Sequence, residues 1–88
     1  MVEREVTIIN KLGLHARPAA ALVQRASKFQ AEISLKRFNL VVNAKSIMGV
    51  MMLAAEMGAK ILVIADGPDE REAMEAILQV IQNKFGEE

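Results

Sequence analysis

One histidine stands in this chain, and its neighbours decide what it could do. His15 lies in the run Asn10-Lys11-Leu12-Gly13-Leu14-His15-Ala16-Arg17-Pro18-Ala19-Ala20. Arg17 is two residues on, Pro18 follows, and an alanine-rich stretch begins there. Proline is favoured in the first turn of a helix, where its missing N–H is no loss. The imidazole therefore belongs where a loop becomes a helix. The first N–H groups of a helix have no partner inside it and attract anions. A nucleophile, a fixed cation and a helix N-terminus thus meet within a few residues. That combination suits a phosphoryl group held on a ring nitrogen. His-x-Arg alone is a weak signal, since a single histidine in a small domain is more often a surface or core residue.

The elements that must position this site follow from periodicity. Glu5 to Asn10 is rich in β-branched residues, with Val6 and Ile8 on one face and Thr7 and Ile9 on the other, and reads as a strand. From Pro18 to about Lys28, Ala19, Leu22, Val23 and Ala26 form one apolar stripe on a helix. Glu32 to Lys36 alternates, with Ile33 and Leu35 inward. Leu40 to Val42 is a second short strand, joined by a turn in which Asn39 can take the left-handed conformation. Ser46 is a good N-cap for a helix from Ile47 to about Met57, ended by Gly58. That helix carries two apolar stripes: Val50, Leu53, Ala54 and Met57, then Ile47, Met48, Met51 and Ala55. A short helix buries one face, so the second stripe is expected to be partly exposed; burial of both is the competing expectation. Lys60 to Ala65 is a nearly continuous apolar run, as in a central strand. Asp66-Gly67-Pro68 is a turn, and Asp69 caps the last helix with Glu72 as its capping-box partner. Ala73, Ile77, Val80 and Ile81 form the buried stripe of that helix, supported by Met74 and Phe85. Gly86 ends it, and Glu87 and Glu88 are expected to fray.

Composition narrows the possibilities. The 88 residues suit one domain, and 52% of them are hydrophobic, enough for one core. Cysteine is absent, which excludes disulfides and cysteine-bound zinc and is compatible with a reducing compartment. One histidine excludes a histidine-rich metal site, so neither a metal nor a cofactor is expected. The 11 basic and 11 acidic residues balance, which argues against non-specific nucleic-acid binding. No apolar run approaches the ~20 residues of a membrane span. Met1 to Val6 alternates in charge and lacks the apolar region of a signal peptide. A cytoplasmic location is the expectation.

Gly13-Leu14-His15-Ala16-Arg17-Pro18-Ala19 resembles the active-site signature of HPr, the histidine-containing phosphocarrier family of the bacterial phosphotransferase system. Lys45-Ser46-Ile47-Met48-Gly49-Val50-Met51 resembles the family's serine-site motif at the expected distance, and the likeness spans nearly the whole chain. The resemblance implies one domain over residues 1–88. It implies an α/β two-layer open-faced sandwich, β-α-β-β-α-β-α, its four-stranded antiparallel sheet in the order 1-4-2-3 with three helices on one face. It implies a phosphoryl carrier rather than an enzyme. His15 would accept phosphate at Nδ1 from enzyme I, itself charged by phosphoenolpyruvate. It would then pass the phosphate to an enzyme IIA domain in sugar uptake.

By the same resemblance, Arg17 stabilises the phosphoryl group, while Ala16 and Pro18 form the helix N-terminus. Ser46 is a regulatory phosphorylation site, which brings in an HPr kinase/phosphorylase and a transcriptional regulator as partners. Ala20, Ile47, Met48 and Met51 form a docking surface on a monomer. Some residues depart from the family. Gln24 and Ser27 stand where lysines are frequent, Leu12 replaces a small polar residue, and no glycine marks the Arg37–Leu40 turn. The Asn10–Gly13 run and Met51–Ala55 resemble the nitrogen-related branch, NPr, so a regulatory rather than sugar-transport role stays open. A non-carrier binding module of the same fold would use Ser46 without His15, and relatives of that kind lack the histidine. A small-ligand regulatory domain of similar architecture would not need His15-x-Arg17-Pro18.

Overall fold

The computed structural model describes residues 1–86. Its elements run β1 (Val2–Thr7), α1 (Ala16–Ala26), β2 (Glu32–Arg37), β3 (Leu40–Asn43), α2 (Ile47–Met52), β4 (Lys60–Asp66) and α3 (Glu70–Gln82), with a 3-10 turn at Lys84–Gly86. The expected fraying of Glu87 and Glu88 lies outside the described residues. All strand pairs are antiparallel and the order is β1-β4-β2-β3, so the sandwich topology is as expected. No helix among the described residues is long and apolar enough to cross a membrane.

Alternation decides which side of the sheet the helices cover. Ile33, Leu35, Val42, Ile61, Val63 and Ala65 are buried, and so are Leu22 of α1, Val50 of α2 and Ile77 and Ile81 of α3. Each fully buried side chain of this size contributes about 1.5–3 kcal/mol, so this face holds the domain together. β4 is central, paired with β1 on one side and β2 on the other, which explains its unbroken apolar run. On the open face the register sets Leu62 between Glu5 and Lys36, and Ile64 between Glu3 and Ser34. Long polar side chains there can cover apolar neighbours with their methylene stems, and both residues are half-buried.

Several boundaries differ from the periodicity reading, each for a tertiary reason. β1 ends at Thr7 rather than Asn10. Ile8 leaves the strand and is fully buried, donating its N–H to the Ala59 carbonyl while its own carbonyl accepts from Gly58. The β2–β3 turn places Phe38, not Asn39, at positive φ (55°), with its ring over the Arg37 guanidinium at 4.9 Å. α2 stops at Met52 rather than Met57, and Ala54, at φ 49°, turns the chain away. Gly58 therefore serves a loop and not a helix end. Val50, Leu53 and Ala55 are buried, whereas Met57 is exposed. Val80 is only half-buried on α3, where Met74 and Ala76 complete the buried stripe.

The capping box at α3 is also replaced. Asp69 occupies the N-cap position without a capping bond from its side chain. Its carboxylate instead accepts from the N–H groups of Gln30 (2.9 Å) and Ala31 (2.8 Å), tying α3 to the α1–β2 connection. Those backbone bonds, the one from Gln30 first, hold the Asp69 carboxyl below its ordinary value. A depressed folded-state pKa stabilises the fold above the unfolded value of about 3.9, and the gain is lost as pH falls through the folded value. Asp69→Asn is therefore expected to be less stable than wild type at pH 7. The two stability curves should converge as pH drops below 4, measured by urea unfolding across pH.

Candidate functional site

The site is built by a loop that must turn sharply before α1 can begin. Asn10 is fully buried. Its side-chain amide donates to the Gly13 carbonyl at 2.8 Å, and Gly13 N–H returns a bond to the Asn10 carbonyl at 3.2 Å. Gly13 sits at φ +69°, and a Cβ there would lie 2.3 Å from the Ala55 carbonyl oxygen and 2.8 Å from Glu56 Cα. Both the backbone angle and the lack of space demand glycine. Leu14 is buried and donates its N–H to the Ala55 carbonyl at 2.8 Å. The loop is thus pinned immediately before His15.

His15 is the N-cap of α1, with extended backbone (φ −80°, ψ −172°), and its side chain makes no capping bond. Its carbonyl accepts the first helical bond, from Ala19 at 3.0 Å. Pro18 has no N–H, so the first-turn donors left over are the amides of Ala16 and Arg17. The helix begins at Ala16, which puts Pro18 in the third helical position rather than the first; its ring is tolerated anywhere in that turn for the same reason. No acidic residue lies in the first turn, so that turn itself brings no carboxylate to the positive end of the helix dipole. Arg17 is exposed and pairs with no carboxylate among the described residues. The His15 residue is partly exposed, while its Nε2 is shielded from solvent. Pro18 and Ala19 are buried and Ala20 is half-buried, one turn beyond Ala16.

The second motif forms a separate helix start. Ser46 is the N-cap of α2, and its Oγ accepts from Gly49 N–H at 3.1 Å. Along α2, Val50 alone is buried, while Ile47, Met48 and Met51 are 43%, 77% and 42% exposed. The stripe expected to be partly exposed is so, apart from Ala55, which lies beyond the helix end and is buried. Two residues outside that expectation are also exposed apolar side chains: Met52 at 64% and Leu12 at 74%. The signal for Leu12 was its place in a polar loop; Met52 belonged to neither stripe. Among the described residues no cluster of histidine, cysteine or carboxylates could hold a metal ion.

Comparison with known proteins finds relatives that cover nearly the whole chain. A family model described as the PTS HPr component phosphorylation site matches residues 2–83. The phosphocarrier protein HPr of Cupriavidus necator is 55% identical over 87 residues, covering 99% of this chain and 98% of its own. The HPr-like protein Crh of Halalkalibacterium halodurans is 49% identical over 84 residues, covering 96% of this chain and all of its own. The crystal structure of HPr-C-His from Thermoanaerobacter tengcongensis matches with a TM-score of 0.96 at 51% identity, covering 100% of this chain and 99% of that one. With the family model matching residues 2–83 and relatives about half identical from end to end, this chain belongs to the HPr family of phosphocarrier proteins.

Proposed function

We propose that the chain carries phosphoryl groups on His15, taking them from enzyme I and delivering them to an enzyme IIA domain of the phosphotransferase system. The observation that carries this reading is the N-cap imidazole. It is partly exposed and not spent on capping. His15 directly precedes the two first-turn amides of Ala16 and Arg17, and no described carboxylate neutralises the Arg17 guanidinium.

Nδ1 is the proposed nucleophile, because Nε2 is shielded. Attack by Nδ1 requires the tautomer with its proton on Nε2. The new P–N bond forms as the donor's bond to phosphorus breaks, so the phosphoryl group changes hands without a free intermediate. Charge on its oxygens can then be met by the Ala16 and Arg17 amides and the Arg17 side chain, through charge-assisted hydrogen bonds. A carrier must also release its cargo, and donors at a partly exposed loop bind less tightly than donors in a closed pocket. Ala20, Ile47, Met48 and Met51, extended by Leu12 and Met52, supply the proposed docking surface. Unbranched, polarisable methionine side chains repack readily against different partners.

Ser46 has two roles in this reading. It caps α2, and it accepts a regulatory phosphate from an HPr kinase. The added group brings roughly −2 charge beside exposed Met48 and Met51, which opposes apolar docking without unfolding the domain.

His15→Ala should keep its fold and lose all labelling from phosphoenolpyruvate and enzyme I; acid-labile label on that variant would refute the assignment. Arg17→Ala should transfer more slowly by roughly 10²-fold, with stability within about 0.5 kcal/mol of wild type. Stopped-flow transfer and denaturant melts measure the two quantities. Incubation with HPr kinase and ATP should add one phosphate that maps to Ser46 by mass spectrometry, and Ser46→Ala should stay unmodified.

A further inference from the structure

We infer that Arg37 is a positioning residue for transfer at His15, acting through the segment from Leu53 to Glu56. This rests on the phosphocarrier reading above. Arg37 closes β2, and its Nη1 donates to the carbonyls of Leu53 (3.2 Å) and Ala54 (2.9 Å). Its Nη2 donates to Glu56 Oε1 at 2.6 Å, forming an ion pair. One planar fork thus gathers three acceptors from four consecutive residues, a geometry that a lysine cannot match. The Arg37 side chain is only 15% exposed, with the Phe38 ring 4.9 Å from its guanidinium carbon.

The segment so held supports the loop that leads into His15. Ala55, in its middle, accepts the Leu14 N–H at 2.8 Å. Gly13 rests on Ala55 and Glu56 with no room for a Cβ. Leu14 is bonded directly to His15. The connection from guanidinium to imidazole is therefore short: Arg37 to the Leu53–Glu56 backbone, Ala55 to Leu14, Leu14 to His15. Ala54 within it has φ 49°, a region that L-residues rarely hold without support, and its carbonyl takes the shorter of the two Nη1 bonds. A guanidinium that fixes this segment fixes where the imidazole stands.

Arg37→Met, Arg37→Lys and Glu56→Gln are compared with wild type as acceptors from enzyme I charged by phosphoenolpyruvate, and amide hydrogen exchange is followed at Leu14 and at Val63. In Arg37→Met, kcat should fall about tenfold, because small displacements of a reacting group slow transfer steeply. KM should be unchanged, since the apolar docking residues are untouched. Leu14 should exchange at least roughly tenfold faster while Val63, in the central strand, does not change. Arg37→Lys should recover part of kcat, and Glu56→Gln, which leaves both carbonyl bonds, should stay within about twofold of wild type.

Unchanged kcat, equal acceleration at Leu14 and Val63, or a Glu56→Gln loss as large as that of Arg37→Met would each overturn the inference. Should Arg37→Met fail to fold, Arg37→Lys decides: lowered kcat at constant KM supports positioning, and unchanged kcat refutes it. A wild-type chain that accepts no phosphate would sink the carrier reading instead. The exchange comparison would still decide whether Arg37 holds the loop.

Discussion

The structure depends on one close approach: the backbone of Gly13 and Leu14 lying against Ala55 and Glu56. Glycine is required there by both angle and space, and a single N–H to carbonyl bond of 2.8 Å fixes the register. Much else follows. The chain must leave β1 at Thr7 so that Ile8 can bury itself and bond to Ala59 and Gly58. Asn10 must go inside to close the loop with its side chain. α2 must stop early, because residues 53 to 59 are needed as a platform with free carbonyls, and a helix would consume those carbonyls internally. The short α2 and the pinned histidine loop are two sides of one constraint.

Much of this was legible in the residues. β-branched runs and strict alternation located β2 and β4. The Ala19, Leu22, Val23, Ala26 stripe located α1, and the Ala73, Ile77, Val80, Ile81 stripe located α3, because local period and tertiary burial agree at all but the half-buried Val23 and Val80. The histidine's place at a helix start was legible from Pro18, whose effect is local and steric. Ser46 as a cap was legible for the same reason: its Oγ reaches an amide three residues on. The sheet order came from resemblance, since alternation says which side chains face inward and nothing about which strands are neighbours.

What could not be read is what long-range hydrogen bonds decide. Asp69 with Glu72 is a good local capping box, yet its carboxylate is taken by amides 38 and 39 residues away. Two charge-assisted bonds that tie separate elements outweigh one reciprocal pair inside a helix. Leu53 to Met57 continues the apolar period of α2, yet Arg37, from another strand, captures the carbonyls where the helix ends. Asn39 is the better left-handed residue by side-chain chemistry, yet Phe38 takes that angle and gains the stack on Arg37. In each case the local preference is worth about 1 kcal/mol or less, which one well-placed tertiary contact can exceed.

The two halves of the proposed site have opposite mechanical requirements. A nitrogen that must meet phosphorus in line needs a fixed position, because misplacement by an ångström slows transfer steeply. Here that position is set by buried anchors on both sides of His15: Leu14 before it, Pro18 and Ala19 after it. A surface that must fit several partners needs the reverse. Met48, Met51 and Met52 project from a short helix of which only Val50 is buried, and each has three rotatable bonds and a polarisable sulfur. Branched side chains there would bind one shape well and others poorly. Buried anchors lie on either side of the histidine and exposed methionines on α2, so under the proposed function different partners would seat on the second without disturbing the first. In the proposed carrier role, that separation would let one imidazole serve as acceptor from one protein and donor to another.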